Sequence, residues 1–84
     1  MGQKEKLLQR LRSMPKDFSF SEAEALLQYM GYEKINKGKT SGSRVMFVSD
    51  IHPPILMHKP HPRKELPLYQ VKQLSEILKQ EGLL

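Results

Sequence analysis

The segment Ser43–Ser49, reading SRVMFVS, limits most strongly what this chain can fold into. Its β-branched and aromatic content marks a strand. Turn chemistry brackets it on both sides, Gly38-Lys39-Thr40-Ser41-Gly42 before it and Asp50-Ile51-His52-Pro53-Pro54 after it. A parallel neighbour needs a crossover of about a dozen residues or more, and neither turn has that length. The flanking strands, Tyr32–Lys37 and Ile55–Lys59, are therefore expected to join it as an antiparallel meander. Alternation sends Val45 and Phe47 to one side of the sheet and Arg44, Met46 and Val48 to the other. Val45 and Phe47 are expected to face the core, which leaves Arg44 on an open face.

Outside the meander the period changes to that of a helix. Leu7, Leu8, Leu11 and Met14 form one stripe over about Gln3 to Ser13, and Pro15-Lys16-Asp17 ends it. Ser21 with Glu24 reads as a capping box for a second helix. Ala23, Leu26, Leu27 and Met30 give that helix an apolar face, and Gly31 stops it. Residues 60–67 are irregular and proline-punctuated. A last helix starts near Pro67, carries Val71, Leu74, Ile77 and Leu78, and ends at Gly82. The order is α-α-β-β-β-α. The expected fold is α+β, two layers, with a three-stranded antiparallel sheet packed on helices. Residues 1–20 read as an N-terminal helix and linker, and residues 21–84 as the main unit of a single domain.

At 84 residues the chain is short. A domain of this size buries only about 60–65% of its unfolded surface. An elaborate cofactor pocket is not expected, and the cofactor expectation is none. Without cysteine, disulfides, zinc–thiolate sites and thiol nucleophiles are excluded. No secretory signal is visible, and no apolar run approaches the roughly 18 residues that span a membrane. Leu7, Leu8 and Leu11 are too few for a membrane-surface helix, so the expected location is cytoplasmic.

Lys and Arg number 14 against 9 Asp and Glu, a net charge of +5. The surplus sits in the strands and turns. Lys34, Lys37, Lys39, Arg44, Lys59, Arg63 and Lys64 fall between residues 34 and 64, where Asp50 is the one acid before Glu65. The helices mix both signs. This distribution fits the binding of a phosphate backbone, with a solvated lysine-rich surface as the plainer alternative. Gly38-Lys39-Thr40 is not a P-loop, because Glu33 stands where the first glycine is needed and the turn joins two strands. His52, His58 and His61 gather around the third strand. Pro60 and Pro62 exclude a helix that would bring His58 and His61 together on a metal, and no metal site is expected. A histidine is the side chain here best suited to general acid–base work. His61, fixed between two prolines, and His58 are the candidates.

Thr40-Ser41-Gly42-Ser43-Arg44-Val45-Met46-Phe47, the apolar third strand, His58-Lys59-Pro60-His61-Pro62 with Glu65-Leu66, and the closing helix from Tyr69 to Leu83 together resemble the HicA family of bacterial toxins. The resemblance covers about Ser21 to Leu84. It implies a fold like that of double-stranded-RNA-binding domains. It also implies an mRNA-cleaving endoribonuclease of a toxin–antitoxin pair, neutralised by a HicB-type antitoxin. In that family the residue after Gly-Ser is commonly a histidine, and here it is Arg44. Arginine stays protonated and cannot take a proton from a ribose hydroxyl, but it can clamp a phosphate.

Three readings follow. Cleavage is lost and RNA binding kept; His61 or His58 supplies the base beside Arg44; or the chain belongs to a subgroup with different chemistry. A protein-interaction domain without RNA is the remaining alternative. The expected catalytic residues are Arg44, His61 and His58. The expected RNA-binding residues are Lys37, Lys39, Ser43, Arg44, Lys59, Arg63 and Lys64.

Overall fold

A computed structural model describes residues 2–35, 44–60 and 64–84. Its elements follow the expected order: α1 Gln3–Arg12, α2 Phe20–Tyr29, β1 Glu33–Ile35, β2 Arg44–Val48, β3 Ile55–His58 and α3 Leu68–Gln80. The sheet is antiparallel in the order β1-β2-β3. Lys34 stands opposite Phe47 and Ile35 opposite Met46 in one ladder. Arg44 stands opposite His58, and Met46 opposite Leu56, in the other. The fold is α+β.

Alternation works as the sequence requires. Val45, Phe47, Ile55 and Met57 are buried, and Arg44, Met46, Leu56 and His58 are exposed. The buried set meets α2 through Phe20, Ala23, Leu26 and Leu27, α3 through Val71, Leu74 and Leu78, and α1 through Leu7 and Leu11, all in one core cluster. Phe47 is fully buried, its ring 6.3 Å from that of Phe20. Truncating such a side chain costs about 3–5 kcal/mol. The whole domain has roughly 4–13 kcal/mol to lose, at ~0.05–0.15 kcal/mol per residue.

Two helix ends differ from expectation. The capping box of α2 is Ser19 with Glu22, not Ser21 with Glu24. Ser19 Oγ accepts from the Glu22 N–H at 3.1 Å, and Glu22 Oε1 accepts from the Ser19 N–H at 2.9 Å. Both pairs have the required spacing. The earlier one wins because it places Phe20 in the first turn, where it is buried, and leaves Glu24 to pair with Lys34 at 3.1 Å. Met14 lies beyond the end of α1, at φ 53, although its position fits the stripe. Its side chain still packs against the core. The left-handed turn, together with Pro15, carries the chain out of the helix.

Glu22 also receives α1. Arg10 Nε lies 2.7 Å from Glu22 Oε2, and Arg10 Nη2 donates to Glu22 Oε1 at 3.1 Å and to Asp17 Oδ1 at 3.2 Å. These carboxylates, Glu22 foremost, hold the guanidinium pKa above its ordinary value. Just beyond, the linker pairs with the segment entering α3. The Phe20 N–H donates to Lys64 C=O at 3.1 Å and the Leu66 N–H to Phe18 C=O at 2.8 Å, around a Ser19–Glu65 bridge. The linker therefore anchors residues 64–66.

Gly31 and Gly82 sit at φ 92 and 75 and end α2 and α3 as expected. Each allows the next N–H to turn back onto its helix, Tyr32 to Leu27 C=O and Leu83 to Leu78 C=O.

Candidate nucleic-acid interface

Among the described residues no helix covers the outer face of the sheet, and its two ends differ in chemistry. At one end Arg44 and His58 are directly opposed and both exposed. The ladder register also fixes how close they are. The His58 N–H donates to Gln70 Oε1 at 3.1 Å, and the His58 C=O accepts from Gln70 Nε2 at 3.2 Å. In an antiparallel strand the N–H and C=O of one residue point to the same side. Those of His58 therefore point away from β2, and Arg44–His58 is a non-hydrogen-bonded pair. Such pairs bring Cα atoms to about 4.5 Å and side chains closer than their neighbours.

Two groups that can both carry positive charge are thus held side by side. Lys59 and Lys64, also exposed, lie in the segment that leaves this end. Among the described residues the ion pairs belong to Arg10, Lys34 and His52, and none involves Arg44, His58, Lys59 or Lys64. An anion seated between them meets polar groups from both strands. Arginine, with its planar fork of donors, suits a phosphate in particular.

Next to the cationic end runs an apolar band. Ile35, Met46 and Leu56 share one row across the three strands. Met46 is 37% and Leu56 50% exposed.

The far end is roughly 13 Å away along β2, at about 3.3 Å per residue. His52, in the turn after β2, does not share the site of His58. Its Nδ1 lies 2.8 Å from Glu81 Oε1, and its ring stacks on that of Tyr32 with centroids 5.9 Å apart. The Tyr32 hydroxyl is buried without a hydrogen-bond partner among the described residues. Burial first, and the Glu81 charge second, raise its pKa. Of the three histidines around the third strand, His52 is thus held by Glu81 before its start and His58 stands at its end, while His61 lies outside the described residues.

Of the residues expected at the site, Arg44 and His58 are brought together, with Lys59 following directly. Lys64 is exposed on the segment that the linker anchors. Lys37, Lys39, Ser43, His61 and Arg63 lie outside the described residues. The sequence reading missed Gln70. Its signal was available, since a glutamine sits one turn before Leu74 and beside Val71, in the apolar stripe of α3. Gln70 is only 6% exposed.

The family described as HicA toxin of bacterial toxin-antitoxin matches residues 20–83. The chain belongs to this family. The match takes in α2, the sheet and α3 and excludes α1. Membership makes the protein a toxin of a toxin–antitoxin system, which implies a cognate antitoxin. No curated protein and no solved structure matches the chain. Among the described residues, no helix is long and apolar enough to cross a membrane, and no cluster of three or more histidine or acidic side chains could hold a metal ion.

Proposed function

We propose that this HicA-family toxin binds mRNA at the Arg44–His58 end of its sheet and cleaves it as an endoribonuclease. The observation that carries this reading is the close opposition of Arg44 and His58 on an open face, where neither has an ion-pair partner among the described residues. Arg44 donates two hydrogen bonds to non-bridging oxygens of a phosphodiester and offsets the charge gathering there in the transition state. His58, as neutral imidazole, takes the proton of the adjacent ribose 2′-hydroxyl. The 2′-oxygen bonds to phosphorus, the bond from phosphorus to the 5′-oxygen breaks, and a proton is delivered to that oxygen. A 2′,3′-cyclic phosphate and a 5′-hydroxyl result. His61 is the second histidine near this end in sequence and the candidate for the leaving-group proton. Lys59 and Lys64, with Lys37, Lys39, Ser43 and Arg63, extend the contact along the RNA backbone.

The cognate antitoxin is, on this reading, of the HicB type. The exposed Met46–Leu56 band supports a protein partner, because phosphate contacts do not need it and a protein can bury it. Arg44, standing where this family commonly has a histidine, supports a second reading in which RNA is bound and not cut.

Purified protein incubated with single-stranded RNA separates the two. Fragments ending in 2′,3′-cyclic phosphate, lost in His58→Ala or His61→Ala and relieved by the antitoxin, support cleavage. Intact RNA bound with a steep salt dependence supports the binding module. Neither binding nor cleavage would sink both.

A further inference from the structure

We propose that Gln70 is a positioning residue of this site, a buried carboxamide that stands in for a fourth strand and sets the His58 imidazole beside Arg44. The inference rests on the proposed role of His58.

Among the described residues β3 is an edge strand, paired with β2 on one side. Edge strands fray and slip, because their outward N–H and C=O groups lack fixed partners. At His58 both of those groups are satisfied by one side chain, at 3.1 and 3.2 Å. Only one orientation of the amide does this, with oxygen toward the N–H and nitrogen toward the C=O. Gln70 belongs to α3, whose stripe Val71, Leu74 and Leu78 is anchored in the core. The rigid helix thus fixes the last residue of the strand, where β3 gives way to the proline-rich segment.

This has a geometric consequence. The clamp holds the His58 backbone outward and so preserves the close, non-hydrogen-bonded pairing with Arg44. Where it is lost, His58 can peel from the edge while Val45–Met57 and Met46–Leu56 remain paired. A glutamine in an apolar stripe, with both amide groups aimed at one backbone residue, adds nothing to the packing of α3 that methionine would not supply.

Gln70→Met keeps the length and removes both hydrogen bonds; Gln70→Glu keeps an acceptor and loses the donor. Deuterium exchange of the His58 amide, read by NMR in the protein without RNA, is expected to be slowest in the wild type. It should be faster in Gln70→Glu and faster still, on the order of 10-fold or more, in Gln70→Met. Exchange unchanged in both variants overturns the clamp, whatever the protein does to RNA. Cleavage should fall in Gln70→Met on the order of 10–100-fold in kcat with little change in KM. In a His58→Ala background Gln70→Met should cost nothing further. An equal loss with and without His58 overturns the positioning role, because a merely structural glutamine gives that result. If His58→Ala cleaves like the wild type, the reading of His58 fails while the exchange result still decides the clamp.

Discussion

The sheet carries a histidine near each end, and the two ends have opposite fates. His52 is half-buried, stacked on Tyr32 and joined to Glu81 at 2.8 Å. Its Nδ1 and a ring face are used within the protein. His58 is exposed, clamped through its backbone, and set against Arg44. Its imidazole has no side-chain partner among the described residues, and its nearest cross-strand neighbour is a cation. A paired histidine holds a turn to a helix. An unpaired one beside an arginine awaits an anion. The contrast assigns structure to one end and chemistry to the other.

The largest effect that could break this contrast is on cleavage. His58→Ala should lower RNA cleavage on the order of 10²–10⁴-fold, the usual contribution of a general base. Its stability should stay within about 0.5 kcal/mol, as for exposed positions. His52→Ala should do the reverse, with cleavage kept and denaturant unfolding shifted by about 1–3 kcal/mol for a lost charge-assisted hydrogen bond. Equal catalytic losses at both histidines would erase the distinction.

The next effect is on affinity. Arg44→Ala should weaken binding to a non-cleavable 2′-O-methyl RNA and lower the dependence on salt by about one phosphate contact. A salt slope identical to the wild type would remove Arg44 from the interface. Among stability effects at this end, Tyr32→Phe should be the smallest at neutral pH, because the hydroxyl it removes is buried without a partner among the described residues.

The difference should emerge at alkaline pH. Burial, with Glu81, raises the Tyr32 pKa in the folded protein, so the folded state keeps the phenol proton that the unfolded chain gives up near pH 10. Stability is then full below about pH 10 and falls as pH climbs toward the raised value. Tyr32→Phe should lack this part of the alkaline loss. Superimposable profiles from pH 9 to 11 would contradict it.

The elements were legible where a local period decides them. Val45 and Phe47 turned inward because strands alternate, and the three strands paired in order because their turns are short. Boundaries failed where two local signals compete. Ser19 and Ser21 both precede a glutamate by three, and only the burial of Phe20 chooses between them. Arg44 was readable as exposed, and its close pairing with His58 was not, because the pairing depends on Gln70 from another element. The contact of His52 with Glu81 was not readable for a related reason, since Glu81 lies 29 residues away in sequence. Local pattern carries the backbone; the site is made by side chains that cross from α3 to the sheet.

The most direct test is an NMR titration of the full chain with a single-stranded 2′-O-methyl RNA, which can bind but not be cut. Shifts are expected at the His58 imidazole and the Arg44 guanidinium that saturate together, with the His52 and Tyr32 rings unmoved. Shifts centred on His52 and Tyr32, or saturation of binding without any change at Arg44 and His58, would contradict this assignment of the site.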